Sequence, residues 1–166
     1  MTSALVISPT YHVELIDGRE IEKPLPKKLH TFIQVFLIMR LGAIVYSGFR
    51  IASELNVLCG ADRLAPDVMI VRRGAKYDDG DLQDPPALAV EILSPGQTIG
   101  ALFDKAARLI GAGAPSCWVI WPERRKVWIY SGDDLLEASD NLTARLAENE
   151  TLTISLKDLW ASLDDD

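Results

Sequence analysis

Glu91 is the sole polar residue in the run Ala87-Leu88-Ala89-Val90-Glu91-Ile92-Leu93. A short apolar run of this kind reads as a strand covered on both faces. A carboxylate buried there is costly unless a cation or a metal ion pairs with it. Asp67 repeats the pattern 24 positions earlier, where it follows Pro66 and heads the run Val68-Met69-Ile70-Val71. Two acids at the head or heart of two adjacent strands form half of a divalent-metal site. Mg²⁺ and Mn²⁺ prefer carboxylate oxygens and water, and phosphodiester hydrolysis is one reaction such ions serve.

A lysine beside the pair would orient a water or neutralise phosphate charge. The position two residues after Glu91, on the same strand face, is Leu93, so the lysine must come from elsewhere. Helical periodicity over 99–112 offers Lys105. With Leu102 at zero and about 100° per residue, Leu109 falls at about 340°, Ala106 at about 40° and Lys105 at about 300°. Lys105 thus lies at the edge of the buried stripe, with Asp104 nearly opposite. Its stem can lie along apolar surface while its ammonium turns toward the sheet. Each residue also has a plainer reading. Asp67 is a strand-entry cap after proline, Glu91 an acid paired with an arginine, and Lys105 a surface lysine.

These residues need a scaffold. Residues 11–23 alternate around Asp17-Gly18, which predicts a hairpin. Pro24 and Pro26 end it. Leu29, Ile33, Phe36, Leu37 and Leu41 recur at helical spacing, and Gly42 is expected to close that helix. Strands are expected near 43–47 and 50–58, and from Asp67 to Arg72 or Arg73. Residues 74–86 read as a polar, acidic connection. The Glu91 strand, the 99–112 helix and strands at 117–121 and 126–130 follow. Weaker strands near 142–146 and 151–154 precede a short helix near 156–163. One helix crossing over after the Glu91 strand implies a mixed-sheet α/β (α+β) domain.

With 166 residues, one domain spanning 1–166 is expected. No apolar run reaches the roughly 18–20 residues of a membrane span. The start lacks a basic stretch followed by a long apolar one, so no secretory signal is expected and the protein is read as cytoplasmic. Cys59 and Cys117 are too few for a disulfide framework and read as buried, reduced thiols. The net charge of −7 argues against a broad basic surface. Short basic clusters at Lys27-Lys28, Arg72-Arg73 and Arg124-Arg125-Lys126 are either a modest phosphate-facing surface or solvated loop ends. Tyr77-Asp78-Asp79-Gly80-Asp81 lacks calcium-loop spacing and reads as a solvated loop. Trp118, Trp121 and Trp128 read as core or interface residues. His30, at a helix start, reads as a cap or a satisfied histidine.

The combination Pro66-Asp67, Pro85-Pro86, Val90-Glu91-Ile92-Leu93-Ser94-Pro95, Asp104-Lys105, Gly113 and Trp118-Val119-Ile120 resembles the Uma-type putative restriction endonuclease family, within the PD-(D/E)XK nuclease superfamily. Glu14-Leu15-Ile16-Asp17-Gly18 and His30 fit its N-terminal pattern, and the likeness spans roughly 11–131. Leu109 and Trp121 depart from it, where a Tyr and an Asp are usual. The resemblance implies a restriction-endonuclease-like mixed sheet flanked by helices, with an N-terminal β-hairpin. It also implies Mg²⁺- or Mn²⁺-dependent hydrolysis of DNA and frequent homodimers. By position, Asp67 and Glu91 would be metal ligands, Lys105 a migrated catalytic lysine and Glu14 an accessory acid, for which a solvent-facing strand position is the alternative.

Three readings follow. The first is a metal-dependent nuclease. The second is a catalytically silent nuclease-fold module that binds nucleic acid or protein. The third is a structural dimeric domain whose acids pair with Arg72 or Arg108, with no cleft around Glu91.

Overall fold

The computed structural model describes residues 12–44 and 48–165. Asp17 and Gly18 turn the hairpin between β1 (Val13–Ile16) and β2 (Arg19–Glu22), with φ of 52° and 74°. Positive φ at both central positions is what Asp-Gly turns supply. Helix α1 (Lys28–Ile44) runs past Gly42, where the sequence places its end. Leu41 and Ile44 still pack on the core, which outweighs the roughly 1 kcal/mol that glycine costs inside a helix. The strand expected over 43–47 is therefore helix at 43–44, and 45–47 lie outside the described residues, as does Tyr11.

The single strand expected over 50–58 is two, β3 (Phe49–Ala52) and β4 (Val57–Cys59), split around Glu54. Then come β5 (Asp62–Leu64), β6 (Val68–Arg72), β7 (Tyr77–Asp78), β8 (Asp81–Leu82), β9 (Leu88–Ile92) and α2 (Ile99–Gly111). The chain continues through β10 (Cys117–Trp121), a 3₁₀ turn at Pro122–Arg124, β11 (Lys126–Ser131) and β12 (Asp134–Glu137). It finishes with β13 (Asn141–Ala147), β14 (Glu150–Ser155) and α3 (Leu156–Ala161). The acidic segment read as a loop thus contains the small β7–β8 hairpin, turned at Asp79-Gly80.

One sheet runs β12-β11-β10-β9-β6-β3 and a second β2-β1-β5-β4-β8-β7, while β13 and β14 form a separate ladder. Strands β9 and β10 are parallel and joined by α2, whereas β6 and β9 are antiparallel. This is the mixed α+β architecture the sequence implies. Strand alternation divides the β12–β3 sheet into two faces. Val68, Ile70, Leu88, Val90 and Ile92 belong to a core shared with Ile33, Leu37 and Leu41 of α1. Met69, Val71 and Ala89 face the other way, toward Leu102, Ala106 and Leu109 of α2. Thr98 caps α2 by accepting from the Ala101 N–H at 3.2 Å. Among the described residues no helix is long and apolar enough to cross a membrane.

The fully buried Leu109 anchors α2, the helix that carries Lys105. Leu109→Ala is expected to destabilise the fold by about 2–5 kcal/mol, and Leu109→Met by less than about 1.5 kcal/mol. Urea unfolding measures both, and an alanine cost indistinguishable from zero would show that α2 is not anchored there.

Candidate functional site

The pairing of β6 with β9 brings the two acids together. Val68 lies opposite Val90, so one step outward Asp67 lies opposite Glu91 on the α2 face of the sheet. The Asp67 N–H donates to the Val90 carbonyl at 3.0 Å, which continues the ladder. Its side chain then takes over the ladder's work, since Oδ2 accepts the Ile92 N–H at 2.7 Å. Both carboxylates are buried, with Asp67 3% and Glu91 1% exposed. Like charges facing each other across a strand pair destabilise it, so positive groups must enter.

Two lysines do so from different elements. Lys105 descends from α2, and its Nζ lies 2.9 Å from Glu91 Oε2 and 2.9 Å from Glu14 Oε1. Glu14 Oε1 also accepts the Ala65 N–H at 2.9 Å, which fixes β1 against the Pro66-Asp67 corner. Lys23 arrives from the exit of β2. Its Nζ contacts Asp67 Oδ1 at 3.0 Å, Glu54 Oε2 at 2.7 Å and the Ala65 carbonyl at 2.6 Å. His30 Nε2 lies 3.3 Å from Asp67 Oδ2. Gln34 Nε2 donates to the Asp67 carbonyl and to Glu54 Oε1.

The two acids are pushed in opposite directions. Burial raises the Asp67 carboxyl, but the His30 hydrogen bond and the Lys23 charge outweigh it and hold it well below the usual carboxylate range. For Glu91 burial wins: against the pull of Lys105, and helped by the Asp67 charge, it raises the carboxyl to about 7. Burial alone would lower both ammoniums. The facing carboxylates reverse this and raise Lys105 and Lys23 above the ordinary lysine value. A pair of acids driven apart in this way is a mark of functional sites.

Asp67, Glu91, His30 and Lys23 line a cleft of about 560 Å³, shared with Glu54 and Gln34. The cleft contradicts the reading of a closed structural domain, and so do the arginines. Arg72 donates to the Leu146 carbonyl, while Arg108 binds Asp17, Asp62 and Asp104, so neither serves Glu91. Glu91 Oε1 is buried without any hydrogen-bond partner. An orphan oxygen beside a second carboxylate suits a hard cation. Among the described residues no group of three or more His, Cys, Asp or Glu is arranged to hold a metal ion. Two protein carboxylates with the remaining positions left to water or phosphate is the pattern Mg²⁺ accepts.

Four residues singled out in the sequence, Glu14, Asp67, Glu91 and Lys105, meet in one cluster, and His30 joins them as a cleft residue. Lys23, Glu54 and Gln34 escape sequence reasoning. A signal for Lys23 exists in the hairpin. Its N–H bonds the His12 carbonyl, and Glu14 pairs with Ile21, so alternation puts Lys23 on the same face as Glu14. Glu54 has no such signal, because its placement depends on a φ of +57° inside a stretch that reads as continuous strand. A non-glycine residue held there is strained by about 1–3 kcal/mol. Bonds to Lys23 and Gln34, with His12 Nδ1 at 3.4 Å, hold it.

Comparison with known proteins bears on the fold and the family. A crystal structure titled as a putative nuclease belonging to DUF820 from Anabaena variabilis ATCC 29413 superposes with a TM-score of 0.78. It is 23% identical, with 91% of this chain and 90% of that chain covered, so the likeness is one of fold. No curated protein matches the chain. The family described as Uma2, putative restriction endonuclease, matches residues 3–163, and the chain therefore belongs to the Uma2 family.

Proposed function

We propose that the protein is a metal-dependent nuclease that hydrolyses phosphodiester bonds in DNA, with Asp67 and Glu91 holding Mg²⁺ or Mn²⁺. The observation that carries this reading is the unpartnered Glu91 Oε1, buried opposite Asp67 in the cleft. Membership of a family described as restriction endonucleases supports it. The cluster's charge supports it as well. Glu14, Glu54, Asp67 and Glu91 face the two ammoniums of Lys23 and Lys105, so carboxylates outnumber ammoniums and a divalent cation would offset the excess.

When bound there, the divalent ion would supply Lewis-acid stabilisation of charge on the scissile phosphate. Lys105 holds Glu91 Oε2 and so leaves Oε1 as the free ligand atom. Its ammonium would also lend positive potential to a phosphate held on that ion. Glu14 is the residue that keeps Lys105 in place. Asp67 is held ionised by Lys23 and His30, so it is ready to ligate without losing a proton. The alternative, a silent module that binds without cutting, has on its side the acidic balance of the chain and Leu93 in place of a lysine two residues after Glu91. We read the chain as acting on DNA in the cytoplasm, as a homodimer.

Purified protein with supercoiled plasmid and Mg²⁺ or Mn²⁺ is expected to nick or linearise it, and EDTA to stop the reaction. Loss of residues that merely orient metal ligands costs about 10–100-fold in metal affinity or activity, so Asp67→Ala and Glu91→Gln are each expected to lose at least about 100-fold. Cutting by either variant at the wild-type rate would sink the assignment.

A pH dependence follows from the raised Glu91 carboxyl. A carboxyl whose folded pKa lies above its unfolded value contributes stability below the unfolded value, and that contribution is lost as pH rises through about 7. Without metal, the melting temperature is expected to fall as pH rises from the ordinary carboxyl value of 4.5 to about 7, and Glu91→Gln is expected to flatten that fall. Mg²⁺ competes with the proton for the same carboxylate, so its stabilising effect is expected to grow over this range. Calorimetric melts at several pH values measure both. A Mg²⁺ shift that is independent of pH, or that persists in Glu91→Gln, would count against Glu91 as a ligand.

A further inference from the structure

Lys23 is an unusual lysine. A surface lysine buries its stem and leaves its ammonium in water. Here the head points inward, the side chain is only 9% exposed, and all three N–H donors meet oxygen. Those oxygens come from Asp67, Glu54 and the Ala65 carbonyl. Two carboxylates and a backbone carbonyl form the donor set that hard divalent ions take. Glu54 is held in a left-handed conformation with its carboxylate in that cage. Lys105 does not share the cage, because it binds Glu91 and Glu14 instead.

We infer that the Lys23 ammonium is a built-in second cation, seated in an oxygen cage of Asp67 Oδ1, Glu54 Oε2 and the Ala65 carbonyl, so that the centre takes one divalent ion instead of two. The inference rests on the metal reading above for the first ion only. The cage itself stands on the Lys23 contacts. Asp67 is then a shared group, with Oδ1 turned to the lysine and Oδ2 to Ile92 and His30. Lys23 is a positioning residue: it neutralises one flank of Asp67 and holds Glu54 where a second ion would otherwise hold it. The segment that carries it, Glu22 to Pro24, lines both the 560 Å³ cleft and a neighbouring one of about 450 Å³. The lysine is therefore placed between two clefts and not deep in the core.

Titration calorimetry with Mn²⁺, paired with Mn²⁺ paramagnetic resonance to count bound ions, tests the cage without reference to activity. The wild-type chain is expected to bind one ion. Lys23→Ala is expected to bind one more, and Lys23→Ala combined with Glu54→Gln to lose that added ion. Methylammonium is expected to displace the added ion from Lys23→Ala, while tetramethylammonium at equal ionic strength, too large for the cage, is not. Lys23→Met keeps the buried stem and serves if the alanine variant does not fold. Two ions bound by the wild type, or no ion gained in a folded Lys23 variant, would overturn the inference. A wild type that binds none would overturn the metal reading instead, and the cage would still be judged by the ion gained on removing Lys23.

Discussion

The burial of three carboxylates in one place governs this structure. Glu14, Asp67 and Glu91 are each almost wholly removed from water. Taking an ionised carboxylate out of water has an effective penalty of several kcal/mol even after relaxation. The fold meets that penalty with ammoniums and backbone N–H groups, and each comes from a different element. The Ile92 and Ala65 N–H groups serve Asp67 and Glu14, Lys23 comes from the hairpin and Lys105 from α2. Glu91 Oε1 is the exception. Both oxygens of Asp67, Oε1 of Glu14 and Oε2 of Glu91 are satisfied within the chain, so Glu91 Oε1 stands apart among these acid oxygens as a buried acceptor left unpaired.

Much of this could be read from the chain because burial leaves a mark on composition. A lone Glu in an apolar strand stands out, and the strand period then places Asp67 and Glu91 on one face once β6 and β9 pair. The helical phase of Lys105 is equally local, since Leu102, Ala106 and Leu109 define the buried stripe it borders. Both inferences use only the periods of 2 and 3.6. Glu14 has no such local signal, and its place rested on the family pattern.

What escaped was set by tertiary geometry. Lys23 meets Asp67 across 44 positions and Glu54 across 31, and no periodicity links them. The break at Glu54 is invisible because Arg50-Ile51-Ala52 and Val57-Leu58 have ordinary strand composition on either side. Only the contacts of the Glu54 side chain explain why the backbone leaves the strand there. The end of α1 was misplaced for a related reason, because packing by Leu41 and Ile44 overrides a local glycine signal.

A site assembled from a hairpin, two strands and two helices needs something to keep those parts in step. Arg108 does this on the outer side. Its guanidinium donates to both carboxylate oxygens of Asp17 at the hairpin turn, to Asp62 of β5 and to Asp104 on its own helix. Singly, such partly exposed pairs contribute little. Together they tie the hairpin that bears Glu14 and Lys23 to the helix that bears Lys105, and the fork shape of guanidinium fixes direction as well as distance. On the inner side the Glu14–Lys105 contact makes the same connection. The hairpin is thus held to α2 at two points, one wet and one dry. A shift of either element would separate Lys105 from Glu14 and expose Glu91 to water at the same time, so the geometry of the cleft and the docking of the hairpin are one constraint.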